Sequence, residues 1–301
     1  MKSVYICGDG FLGKELLGDF NNDNSYYVSR QFLELKRPQL LEISQLDEFS
    51  KKLRNQKNRL FINASGQSNV QKSFSNYRDS VEQPAIQVLK HLELLSAMQE
   101  PILYVYISSA AVYGETPQLG SNEKENLNPM SPYAEGKLKA EEVLNSFDNS
   151  VNPLISIVIL RVFSAYSNNL TSRILQKIVV DSKKNRIIDL AGSGNEMRDF
   201  VHSSDISRAI KFLVETEKKD KQIYNIGSGQ GIQIQKLLEL ADGVFDRLYD
   251  KRLHYSFDGS RRAGDPIHLV AKIQKLLDAG FTPSIKPREG LVRYFEKNFA
   301  V

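Results

Sequence analysis

Tyr133 and Lys137 stand one helical turn apart in the stretch "SPYAEGKLKAEEVL". On a helix, positions i and i+4 share a face. A free phenol ionises near about 10, too high for a good base at neutral pH. A neighbouring ammonium favours the phenolate and lowers that value. The pair therefore makes sense as a tuned proton donor. Upstream, the run "ILYVYIS" leads into "SSAAVYG", which puts Ser108 and Ser109 at the carboxyl end of a predicted strand. A hydroxyl there can hydrogen-bond the same substrate oxygen that Tyr133 protonates or deprotonates.

Such a constellation needs a rigid frame. "SVYIC", "SYYVS", "RLFIN", "ILYVYIS" and "ISIVILRVF" read as strands that are apolar on both faces, as parallel strands buried between helices are. Amphipathic runs at 11–20, 45–57, 81–99 and 132–147 read as helices between them. The alternation predicts an α/β fold, a doubly wound parallel sheet of Rossmann type. Beyond residue 166 the pattern loosens. "NRIIDLAGSG" and "QIYNIGSGQG" read as strands ending in glycine turns, and 232–247 and 268–279 as helices. The predicted division is a dinucleotide-binding domain over 1–166, with returns to the sheet near 200–226, and a smaller lobe over 167–301.

"VYICGDGFLGKELL" carries Gly8, Gly10 and Gly13, with Phe11 and Leu12, between a strand and a helix. This is the dinucleotide fingerprint in its required context, with glycines that let the backbone approach a pyrophosphate at a helix N-terminus. The second strand ends in Ser29 and Arg30 with no acid beside them. An arginine there accommodates a 2′-phosphate, so the expected cofactor is NADP(H) in preference to NAD(H).

The bulk composition excludes other classes. Hydrophobic residues are 41% and charged residues 25% of 301, an ordinary folded composition. One cysteine, Cys7, rules out an internal disulfide and suits a reducing cytoplasmic setting. Forty basic against 36 acidic residues give +4, too mild and scattered to argue for nucleic acid. No apolar run approaches the roughly 18 residues of a membrane span. His91, His254 and His268 show no metal-ligand spacing, so no metal is expected.

Together, "GDGFLG", "SSAAVYG", "SPYAEGK", "ILRVFSAY", "MRDFVHSSD", "YNIGSG" and "RRAGDP" resemble the extended short-chain dehydrogenase/reductase family of nucleotide-sugar epimerases, dehydratases and reductases. The resemblance spans nearly the whole chain. It implies Ser109, Tyr133 and Lys137 as the catalytic triad, with Lys137 also holding the nicotinamide ribose. It implies a nucleotide-diphosphate sugar in the second lobe, with Ser164, Arg198 and Arg262 as substrate contacts. Asn63 and Ala64 match a cofactor-side "NA" found in sugar-nucleotide reductases. The helices at 81–99 and 132–147 could pair in a homodimer.

Four departures stand out. Cys7 replaces a usual glycine, Gly136 a serine and Ser164 an asparagine. Ala110 and Ala111 stand where the dehydratase branch carries an acidic pair, which argues against dehydration. The expected reaction is NADPH-dependent reduction of a 4-keto-6-deoxy nucleotide sugar. The alternatives are a 4-epimerase with tightly bound NAD and a non-catalytic relative that binds a nucleotide or a partner.

Overall fold

The computed structural model describes residues 3–8, 10–20, 25–29, 39–42, 59–97, 101–148, 150, 152–168, 173–216 and 221–300. Its main sheet contains β1 (Ser3–Cys7), β2 (Ser25–Ser29), β3 (Gln39–Glu42), β4 (Arg59–Asn63), β5 (Ile102–Ser109), β6 (Ile155–Val162) and β10 (Gln222–Ile226). The order is β10-β6-β5-β4-β1-β2-β3, and every pairing is parallel. The order reverses at β1, which lies between β4 and β2. In open parallel sheets such a reversal opens a crevice at the carboxyl ends of the strands.

Successive strand residues face opposite sides, and the chain fills both sides with apolar groups. Val4, Ile6, Leu60, Ile62 and Val105 pack with Leu16 of α1 (Phe11–Asp19) and with Ile206 and Ile210 of α6 (Ser203–Thr216). Tyr5, Cys7, Phe61, Tyr104 and Tyr106 pack with Val88 and Leu92 of α3 (Tyr77–Ser96) and with Ala140 and Leu144 of α4 (Pro132–Ser146). Each fully buried side chain of this size stabilises the fold by about 1.5–3 kcal/mol relative to exposure. The result is a Rossmann-type α/β fold. The segment predicted as a helix over 45–57 lies outside the described residues.

The second lobe is built on β9 (Met197–His202), flanked by β11 (Gly231–Gln233) and β13 (His268–Leu269), with β7 (Ser164–Tyr166) also pairing β9. β8 (Ile188–Leu190) pairs with β12 (Tyr255–Phe257). α5 (Arg173–Lys183), α7 (Ile234–Tyr249) and α9 (Pro287–Phe299) enclose a core that includes Ile178, Leu190, Phe200, Leu237 and Phe295. The helix expected over 268–279 is a correction. His268 and Leu269 pair with Met197 and Arg198, and only α8 (Gln274–Asp278) is helical.

One buried carboxylate holds the lobe to the sheet. Asp199 of β9 accepts from the amide and hydroxyl of Ser228, at 2.7 and 2.6 Å, from the amide of Gly229 at 2.9 Å and from that of Ala271 at 3.2 Å. Burial pushes its carboxyl up to about 6, against the pull of these donors.

Candidate active site

The loop from β1 to α1 shows why three glycines are needed. Gly8 has φ +126°, a left-handed backbone that disfavours a side chain, and a Cβ there would lie 2.5 Å from the Ala64 carbonyl oxygen. A Cβ on Gly13 would fall 2.0 Å from the Gly8 oxygen, so this glycine lets α1 close on the loop. Gly10 differs, because a Cβ there would meet nothing within 4 Å. It is the N-cap of α1 and offers no side-chain cap to the helix, and the first turn carries no acid. Unclaimed amides at a helix N-terminus beside open space form an anion cradle. Phe11 and Leu12 open that helix, and these residues fit a dinucleotide pyrophosphate.

Cys7, in place of a glycine, takes no part in the turn. It ends β1 as an extended residue, 2% exposed, with Gln87 Nε2 at 3.6 Å from its sulfur. Ser29 ends β2. Arg30, on which the NADP preference rested, lies outside the described residues, as does Asp9.

Asn63 requires a correction. It is 1% exposed, and its amide donates to the Tyr104 hydroxyl at 2.9 Å. Its Oδ1 accepts from the Ser65 amide at 3.1 Å and from the Ser65 hydroxyl. The side chain points into the core on the α3 side and caps its own strand end. Beside the glycine loop lie Ala64, whose amide donates to the Cys7 carbonyl at 2.8 Å, and Ser65.

Ser109, Tyr133 and Lys137 come together. Ser109 ends β5 and caps a short 3-10 turn, Ala110–Tyr113, by accepting from the Ala111 amide at 3.2 Å. α4 starts where it does because Ser131 caps it, accepting from the Ala134 amide at 3.2 Å, and Pro132 takes its first position. Tyr133 is thereby in the first turn, with its phenol facing the Ser109 side chain. Burial pushes the phenol above its ordinary value, and the Ser109 hydroxyl opposes this. The expected lowering by Lys137 is not met. The ammonium donates instead to the carbonyls of Ile107 at 2.8 Å and Ser65 at 3.3 Å. Burial pushes Lys137 down to about 8, and Glu141 opposes that.

Gly136 also has a reason. Pro84 lies inside α3 and has no N–H, so the Ser80 carbonyl lacks its helical partner. That oxygen faces Gly136, where a Cβ would sit only 2.0 Å from it. The glycine lets α4 seat against α3 with Tyr133 and Lys137 on either side of the contact.

Sequence reading missed the support beneath this site. Glu141, fully buried, pairs with Arg161 of β6 at 2.7 Å and accepts from the Ser108 hydroxyl at 2.5 Å. Arg161 donates onward to the Tyr113 hydroxyl at 3.0 Å, which donates to Asn225 at 2.7 Å. Two signals were present: an acid one turn beyond Lys137 on the same face, and an arginine inside an apolar strand.

A cleft of about 310 Å³ runs from Ser164 to Arg198 and Arg262, with Leu190, Phe200 and Ile234 as apolar walls. Arg198 is fixed by Asp265 at 2.7 Å and by the Met197 carbonyl at 2.8 Å. The Arg262 loop is seated by Gln71, which donates to the Ala263 carbonyl at 3.0 Å. Lys177 and Glu196 also line this cleft and were not anticipated. Burial works against ionisation of Glu196, but the amides and hydroxyl of the 193–194 turn win and hold its carboxyl below the usual range. Among the described residues, no group of three His, Cys, Asp or Glu side chains is placed to hold a metal, and no helix is long and apolar enough to cross a membrane.

A parallel sheet with a glycine cradle at its reversal, and a serine, a tyrosine and a lysine at the same edge, defines a Rossmann-type enzyme frame. The profile of the NAD dependent epimerase/dehydratase family matches residues 5–227, and the chain belongs to that family. A putative UDP-glucose 4-epimerase of Methanocaldococcus jannaschii is 28% identical over 233 residues, 72% of each chain. The UDP-glucose 4-epimerase of Mycoplasma pneumoniae is 27% identical over 242 residues, 70% of each. Among solved structures, the UDP-glucuronic acid 4-epimerase of Bacillus cereus, bound to UDP-glucuronic acid and NAD, superposes with a TM-score of 0.82. It is 21% identical and covers 99% of each chain.

Proposed function

We propose that the chain interconverts epimers at C4 of a UDP-hexose, with NAD as a bound, regenerated cofactor. The observation that carries this reading is the gathering of Ser109, Tyr133 and Lys137 at the carboxyl end of β5, with Lys137 donating to Ile107 and Ser65, in a chain that also carries the glycine cradle and the Arg198/Arg262 cleft. NAD, when bound, supplies a hydride acceptor that can return the hydride. The chain supplies the proton chemistry. Tyr133, as phenolate, takes the proton of the sugar 4-hydroxyl, and Ser109 hydrogen-bonds that oxygen as it becomes a carbonyl. Lys137 holds the nicotinamide ribose. Arg198 and Arg262 pair with the diphosphate and tether the sugar while its other face turns to the cofactor.

Two considerations move the reading from reduction to epimerisation. Asn63, one of the two signals for a reductase, faces the core. The named relatives are UDP-sugar 4-epimerases, and the Bacillus cereus enzyme binds NAD. The experiment is incubation of the purified chain with UDP-hexoses, alone and with NADPH and 4-keto-6-deoxy sugar nucleotides. Copurified NAD and an epimerised product are expected. Net NADPH oxidation with a 4-keto sugar would replace this reading with the reductase.

One face of α3 exposes Ile86 by 37% and Leu89 by 53%, three residues apart, and this apolar pair supports pairing of two copies along α3 and α4. Sedimentation should show the dimer, and a species of 34.1 kDa alone would contradict it.

A further inference from the structure

We infer that Tyr106 is a positioning residue for Lys137: the face of its ring holds the ammonium in the cleft, and its hydroxyl takes no part. Tyr106 lies in β5, three residues before Ser109, on the side of the sheet covered by α4. The Lys137 Nζ stands 4.9 Å from the centre of its ring. A cation at that distance is attracted by the negative face of the ring, and more strongly where water is excluded. Water is excluded here, because Lys137 is 6% and Tyr106 1% exposed.

The surroundings show why such a platform is needed. Among the described residues, no carboxylate lies within ion-pair distance of Nζ. Glu141 is on the same helix, but its carboxylate is committed to Arg161 and to Ser108. The other titratable groups facing this space are the phenols of Tyr133 on α4 and Tyr104 on β5, both held above the ordinary phenol value by burial. The ammonium therefore rests on two backbone carbonyls, Ile107 and Ser65, and on the ring. The carbonyls fix its direction. The ring offsets part of the burial that drives the proton off.

The hydroxyl of Tyr106 points the same way. It is buried and has no hydrogen-bond partner among the described residues. An unmade bond at a buried hydroxyl is a cost, so what the site uses here is the aromatic face.

This inference deepens the proposed function, and its activity arm rests on that reading. Its titration arm does not. Lysine ε-carbon NMR on the cofactor-free chain, assigned with Lys137→Arg, follows the Lys137 proton directly. The wild type should titrate at about 8. Tyr106→Phe keeps the ring, and should leave that midpoint and the kcat–pH profile unchanged. Tyr106→Leu should move the midpoint down by about one pH unit. The alkaline fall of kcat should move with it, while KM for the UDP-sugar stays the same. Should the leucine variant fail to fold, pentafluorophenylalanine at position 106 keeps the shape, reverses the charge of the ring face, and should give the same downward shift. A leucine or fluorinated variant that titrates like the wild type overturns the platform, as does a phenylalanine variant that shifts as far as leucine. An inactive wild type with the expected titrations would refute the epimerase reading and leave the platform standing.

Discussion

Tyr133→Phe should lower kcat by about 10³-fold, the usual worth of a positioned acid–base group. The change removes one oxygen from a side chain that otherwise packs in the first turn of α4. The glycine cradle and Lys137 are untouched, so copurified cofactor and the affinity for UDP should change little. The fold should hold, because Ser131 and Pro132 still start the helix. The pH profile carries the sign. Burial raises the Tyr133 phenol, so wild-type kcat should climb as pH rises and phenolate accumulates. Above about 8 Lys137 loses its proton, and the climb should turn to a fall. The phenylalanine variant should lose the climbing limb. Steady-state rates across pH, with cofactor content measured in parallel, check this. A variant of wild-type speed would mean that another group moves the proton.

Glu141→Gln should be the most destabilising single change near the site. It removes the charge that faces Arg161, a residue only 2% exposed in the interior. An unpaired buried charge of this kind costs about 3–5 kcal/mol. That is a large fraction of the roughly 5–15 kcal/mol by which such domains are stable. Removing both partners, as Glu141→Leu with Arg161→Met, should recover much of the loss, because two matched apolar side chains need no counter-charge. Denaturant titration of the wild type, Glu141→Leu, Arg161→Met and the double variant tests this as a cycle, with Glu141→Gln measured beside them. The double variant should also report on Lys137, whose proton Glu141 helps to retain. Equal stability of the single variant and the wild type would show that the pair contributes nothing.

The parts of the fold that were readable follow simple periodicities. β1, β2, β4, β5 and β6 are short apolar runs between turns, and each lies where its residues suggest. The Gly8/Gly10/Gly13 loop and the caps of α4 are local signals, and local signals survive into the structure. β3, with four residues, is too short to carry a pattern. α5 holds the run Ile178–Val179–Val180, whose β-branched residues mimic a strand, and it is helical because its apolar face closes the second core. Asn63 was misdirected for want of a parity argument. It pairs in register with Cys7 and shares a face with Phe61, so its side chain had to point toward α3. The Glu141–Arg161 pair joins residues 20 apart on a helix and a strand, and periodicity within either element says nothing about that meeting. Lys137 shows the same limit. Its spacing from Tyr133 was readable, but its two carbonyl partners and the ring beneath it belong to other segments.

The central claim is that Tyr133 moves a proton at the sugar 4-hydroxyl while hydride leaves and returns to the same carbon. The most direct test is a UDP-hexose carrying deuterium at C4, turned over by the purified chain in ordinary water and read by mass spectrometry and NMR. The account predicts the C4 epimer with its deuterium kept at C4. An epimer that has exchanged that deuterium for solvent hydrogen would contradict it.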